Sequence, residues 1–341
     1  IDSPRPASQR AAAFILTAAM LTTLTAPAFA GTWSIENGDI TVKAGDTEGT
    51  NKVKQGDSDF VRDEGDTIIT GTSNQNTVTI DTSEGNVDVT FGNLNIDASS
   101  GNEAAVSVTG SGDTNIELDG DNELKSGRNR AGLEHNQTVD SEGNVTSGKL
   151  TIQDDNDKAG SLDATGGLYG AGIGGGDAQN GQVTITGGDI TATAGSTAGS
   201  YQTSGGGAGI GGGNGGAGKG GKGDVEITGG TITATGVYGA GIGGGRSADG
   251  DVTISGGTIK KAESLSPSNP GGAGIGGGYY GDGRVTITGD AIIEEAQGGI
   301  QSAGIGGGQG ADGVVEISGN ARIDKVIGGD YAAGIGGALG M

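Results

Sequence analysis

Along most of the chain, short apolar runs recur in which Val or Ile takes every second place and a polar residue stands between. The clearest are Val183-Thr-Ile185, Val225-Glu-Ile227, Val252-Thr-Ile254, Val285-Thr-Ile287 and Val315-Glu-Ile317. Alternation of period two turns one face of a strand inward and leaves the other to water. After a short corner a second apolar run begins, at Ile190, Ile232, Ile259, Ile293 and Ile323. A third element precedes both. Ala-Gly-Ile-Gly-Gly starts at Ala171, Ala208, Ala240, Ala273, Ala303 and Ala333, at intervals of 37, 32, 33, 30 and 30 residues, with a degenerate copy (AGLEH) at Ala131. Helices would need longer runs at 3.6 spacing and would be opposed by so much Gly. Three short strands per coil of about 30 residues predict an all-β fold, a right-handed parallel β-helix, in which no coil is stable alone.

The corners add detail. Gly188, Gly230, Gly257, Asp290 and Asn320 hold equivalent places after the Val-x-Ile runs, and these three residue types tolerate positive φ best. A left-handed corner is expected at all five. Stacking also predicts neighbours: Lys261, Glu295 and Lys325 should alternate in sign along one outer face, about 4.8 Å apart. Residues 31–130 alternate less strictly, as in Val78-Thr-Ile80 and Ile116-Glu-Leu118, and hold Trp33, Phe60 and Phe91. Large aromatics at one end suit an N-terminal cap with the first coils, leaving 131–341 as the AGIGGG-repeat region.

Residues 11–26 are uncharged and apolar, follow Arg5 and Arg10, and precede Ala28-Phe29-Ala30-Gly31. That is the pattern of a cleaved secretory signal over 1–30, too short for a membrane span. The expected mature protein is secreted or extracellular and has no membrane span, and a C-terminal anchor or further domain that would attach it to the cell surface is the expected continuation. The chain opens on Ile1 and stops within a repeat at Met341, so both ends are expected to continue in the full-length protein.

Composition narrows the classes. Of 341 residues, 78 are Gly, 5 are Pro and none is Cys, so neither a collagen repeat nor a disulfide-stapled miniprotein is feasible. A net charge of −23 would repel phosphate and excludes a nucleic-acid partner. Catalysis has little to draw on. His135 is the one His and is expected in a surface turn; no nucleophile motif is present, and the Gly runs lack the Gly-Lys-[Ser/Thr] end of a phosphate loop. The chain is expected not to be an enzyme; a polysaccharide lyase-like site would need a Lys or Arg base beside clustered carboxylates.

The succession Ile116-Glu-Leu-Asp-Gly-Asp-Asn-Glu-Leu124, Ala131-Gly-Leu133, Lys149-Leu-Thr-Ile152 and Gly170-Ala-Gly-Ile-Gly-Gly-Gly176 resembles bacterial carbohydrate-binding domain-containing surface proteins, over roughly residues 75–341. The resemblance implies a secreted right-handed β-helix that binds a glycan or calcium, and it offers no catalytic residue to carry over.

Two sets of residues are candidates for such binding. Sugar stacking needs flat aromatics beside hydrogen-bonding groups. Tyr169, Tyr238 and Tyr331 each stand two residues before the Ala of AGI, and Tyr279-Tyr280 opens a neighbouring loop. Asp177, Asp249, Asp282 and Asp312 lie in the loops that follow AGIGG. Together they form the expected face for a polysaccharide or cell-surface glycan, although Gly206, Gly271 and Gln301 interrupt the Tyr row. Calcium prefers several hard oxygens, and Asp154, Asp155 and Asp157, with Asp119, Asp121 and Asn122, supply them. A soluble acidic turn is the simpler explanation of these carboxylates. The alternative to glycan binding is an adhesin or structural spacer in which the β-helix is a rigid rod.

Overall fold

The computed structural model describes residues 31–196, 205–215, 219–266 and 271–338; the expected signal segment 1–30 and the chain end at Met341 lie outside them. The described residues form a parallel β-helix. The coil from Ala171 contributes a two-residue strand (Ile173–Gly174), a Val-x-Ile strand (Asn180–Ile185) and a third strand (Asp189–Gly195), and the coils from Ala208 to Ala303 repeat this, the third strand splitting in two in the Ala273 and Ala303 coils. Like falls on like between coils: Ile173, Ile210, Ile242, Ile275, Ile305 and Ile335 pair in one column. Val183, Val225, Val252, Val285 and Val315 form a second, and Ile190, Ile232, Ile259, Ile293 and Ile323 a third. All but the members in the last coil are buried. Each such side chain contributes about 1.5–3 kcal/mol over its exposed state, and the burial exists only because another coil lies above or below.

The AGIGG motif is explained by backbone crowding. Ala171 donates its N–H to the Gly175 carbonyl, and Ala208, Ala240, Ala273 and Ala303 repeat that closure with the residue four further on. The motif is thus an inward loop with Ile at its tip. Gly174, Gly211, Gly243, Gly276, Gly306 and Gly336 all hold φ between 123° and 131°. A Cβ at Gly243 would run into the Gly276 carbonyl oxygen of the next coil. Glycine is required there twice over, by conformation and by contact.

Three corner positions behave as expected and two do not. Gly188, Gly230 and Gly257 are left-handed, but in the last two coils the left-handed residues are Gly289 and Gly319, not Asp290 and Asn320. From the Val-x-Ile strand to the paired Ile the path is one residue longer there (Ile287 to Ile293, against Ile254 to Ile259). The turn therefore falls on the preceding Gly. Asn320 instead donates from its side chain to Asp290 Oδ1 at 3.0 Å.

The charge ladder also forms with altered partners. Lys325 meets Glu295 at 2.9 Å, but Glu294 is met by Lys260 at 3.0 Å, and Lys261 turns along its own strand to Glu263. The pairing of Thr231–Val237 with Thr258–Leu265 skips a residue between Ile232 and Thr233, so Lys260 is an inserted, bulged residue.

At the N-terminal end, Ile40–Ala44 pairs in parallel with Val78–Asp81 and antiparallel with Asn51–Gln55, which carries Val61–Asp63 on its far edge. Phe91 is fully buried and Trp33 packs on the core, its Nε1 donating to Asp63 at 2.9 Å. Phe60 is not part of that plug: it is 41% exposed, with the Lys43 ammonium 5.6 Å from its ring centre.

After Leu133–Gln137 the chain leaves the solenoid in a hairpin bridged at Val139 and Val145, and rejoins at Leu150–Gln153. His135 sits at its base and is not a surface residue. It is 2% exposed, with Nδ1 2.9 Å from the Gln182 carbonyl oxygen. The chain folds back directly after it, Asn136 and Gln137 pairing antiparallel with Gly181 and Asn180.

Candidate functional site

The inward loop of each AGIGG motif sets two corners side by side on one outer edge of the solenoid. One is the position two residues before Ala; the other lies six and seven residues after it. The first is left-handed at Asn129, Tyr169, Gly206, Tyr238, Gln301 and Tyr331, and the position seven after Ala is left-handed at Ala178, Ser247, Tyr280 and Gly310. The two corners are also bonded between coils. Asp177, Asn214 and Tyr279 donate their backbone N–H to the carbonyls of Asn129, Tyr169 and Tyr238 at 2.9, 2.8 and 3.0 Å.

Side chains on this edge form a chain of contacts. The Arg246 guanidinium lies 6.0 Å from the Tyr238 ring centre and 5.6 Å from that of Tyr279, which belongs to the next coil. Tyr279 and Tyr280 have ring centres 4.0 Å apart, tilted by 34°. Burial, then the Tyr280 hydroxyl beside it, pushes the Tyr279 hydroxyl up to about 12. Arg128 lies 6.0 Å from the Tyr169 ring. Gln309 donates to Gln301 at 2.6 Å.

The predicted tyrosines therefore share an edge but not an environment. Tyr280 is 58% and Tyr331 81% exposed, Tyr169 and Tyr279 are half-buried, and Tyr238 is buried at 7% with Arg246 over it. A row of equally open rings does not exist. The arginines were not legible as partners because Arg246 and Tyr279 fall on one column only when the coils are aligned on their Ala. Asp177 shares that column; burial pushes its carboxyl up, against the pull of Arg128.

Beside the edge, Asn180, Lys222, Asp249, Asp282 and Asp312 stack as the residues preceding paired glycines. Asp249 Oδ1 accepts the Asp282 N–H at 3.2 Å, and Asp282 Oδ1 accepts that of Asp312 at 2.9 Å. Lys222, Asp249, Asp282 and Asp312, with Asp224, Asp251, Arg284 and Gln137, line a groove of about 520 Å³. The loop Gly278–Asp282 carries both Tyr280 and Asp282, so it joins the aromatic edge to this groove.

The candidate calcium ligands are not gathered. Asp119 takes the Lys158 ammonium and the Asn156 amide, at 2.6 and 2.5 Å. Asp121 accepts from the Ser161 hydroxyl, Asp154 from the Gly160 N–H, and Asp155 and Asp157 are exposed. Asn122 is buried and bonds the Leu94 N–H and Ser161 carbonyl across coils. Among the described residues, no three or more of His, Cys, Asp and Glu come together as metal ligands would.

A family model described as a beta helix repeat matches residues 158–177, 225–246 and 252–279. Each stretch contains one Ala-Gly-Ile-Gly-Gly motif and ends on the column of Asp177, Arg246 and Tyr279. No curated protein and no solved structure matches the chain. The residue-level pattern and the repeat model agree on one architecture: a right-handed parallel β-helix.

Proposed function

We propose that the chain is a secreted or surface-attached carbohydrate-binding rod without catalytic activity, whose glycan contacts lie on the tyrosine edge. One observation carries this reading. Among the described residues four tyrosines, Tyr169, Tyr238, Tyr280 and Tyr331, sit at positive φ in a chain with 78 glycines. A side chain in that conformation costs roughly 1–2 kcal/mol, and Gly206 fills the same corner without it. Tyrosine at such positions suits a need for its ring rather than for the turn. Tyr279, Tyr280 and Tyr331 offer stacking faces, while Asp249, Asp282 and Asp312 offer acceptors to sugar hydroxyls. A non-catalytic role is supported by the burial of His135, which leaves it 2% exposed.

Glycan-array binding by the secreted chain, with Tyr279→Ala/Tyr280→Ala as comparison, tests it. A tenfold or greater loss of affinity in a variant with unchanged circular dichroism is expected. The second reading, a structural spacer, is favoured by the AGIGG motif, whose glycines are committed to coil stacking. Absence of any glycan bound by the wild-type chain would favour that reading.

A further inference from the structure

Resting on the carbohydrate reading, we infer that the ligand of this edge is a linear polysaccharide lying along the solenoid axis across at least three successive coils. The direction comes from the contacts themselves. Arg246 bridges Tyr238 of its own coil and Tyr279 of the next, and Arg128 reaches Tyr169 one coil on. The backbone bonds from Asp177 to Asn129 and from Tyr279 to Tyr238 cross the same boundaries. The aromatic platform is therefore elongated along the axis.

The neighbouring groove runs the same way. Asp249, Asp282 and Asp312 succeed one another coil by coil, the first two carboxylates each reaching the next backbone, and the groove extends from Lys222 to Val314. A chain running around a coil would meet Tyr280 and Asp282 once and then leave both features. A chain lying along the axis would keep rings on one flank and acceptors on the other. The coil step of about 4.8 Å is close to the advance of one pyranose unit in an extended glycan. From Tyr169 to Tyr331 the corner recurs through Gly206, Tyr238, Gly271 and Gln301, five steps or about 24 Å at that spacing. That is room for several sugar units.

Calorimetric titration with cello-, xylo-, chito- and galacturono-oligosaccharides, from monomer to hexamer, tests the inference. For at least one series affinity should rise tenfold or more between dimer and hexamer. Tyr331→Ala, a change at an 81% exposed residue, should reduce hexamer affinity and leave dimer affinity as it was. Equal affinity for monomer and hexamer would overturn the axial placement while leaving the carbohydrate reading intact. An unchanged hexamer affinity in Tyr331→Ala would remove the last coil from the line and sink the extended placement. Failure of all four series to bind would overturn both.

Discussion

The side chain of Asp249 accepts the backbone N–H of Asp282, and the side chain of Asp282 does the same for Asp312. Each carboxylate thereby pins the start of the next Val-x-Ile strand. The bond needs an oxygen at that place and not a charge. Asp282→Asn should therefore leave stability within about 0.5 kcal/mol of wild type, whereas Asp282→Ala should lose about 1 kcal/mol, the usual net value of one hydrogen bond. Urea midpoints of the two variants decide it; equal losses would show that the ladder contributes through charge.

Two glycines with positive φ separate conformation from contact. Gly49 (φ 77°) has open space where a Cβ would go, and Gly243 (φ 130°) faces the Gly276 carbonyl. Gly49→Ala should cost about 1 kcal/mol, the left-handed penalty alone. Gly243→Ala adds a backbone collision that no rotamer relieves, so a loss on the order of 3 kcal/mol is expected. Comparable urea midpoints for the two would contradict the stacking account of the motif.

His135 supplies a pH dependence. Burial holds its imidazole below the ordinary range, against the carbonyls of Gln182 and Gly148 and the charge of Asp113, which pull it up. The unfolded chain then binds more protons just below about pH 6.5, and stability rises with pH through that window. Read downward, stability is lost as pH falls from about 6.5 through the lowered native value. Carboxylates facing acid add their own slopes, so the comparison is with His135→Asn, whose amide can still donate to Gln182. Wild type should lose more stability than the variant between pH 7 and pH 5. Parallel curves would place the imidazole in water.

The columns of the solenoid were legible because period-two alternation and a fixed repeat leave Ile173, Ile210 and Ile242 only one shared place to go. The corners were legible only in part. A single added residue moved the left-handed turn from Asp290 to Gly289, and residue type could not reveal that, since Asp tolerates the conformation too. The edge was half visible. Tyr238 looks like its equivalents in sequence, yet Arg246 covers it, a contact that appears once an inward loop brings the two corners together. His135 was misplaced because the strand carrying it folds back against Gly181, a long-range pairing with no local signature.

Substitutions at Tyr280 can separate strain from stacking. In ordinary strand or helix conformations Ala is more stable than Gly by about 0.5–1 kcal/mol. At φ 60° the order should invert, because Ala keeps the left-handed penalty of roughly 1–2 kcal/mol and Gly does not. Both variants lose the contact with Tyr279, worth about 0.5–1.5 kcal/mol, so that loss cancels between them. Tyr280→Gly is thus expected to unfold at higher urea than Tyr280→Ala, near the wild-type midpoint, while both bind glycan more weakly. Such a result would mean that the tyrosine brings the fold little and the ligand much. If Ala proves the more stable replacement, the corner is not left-handed, and no backbone strain at Tyr280 points to a sugar.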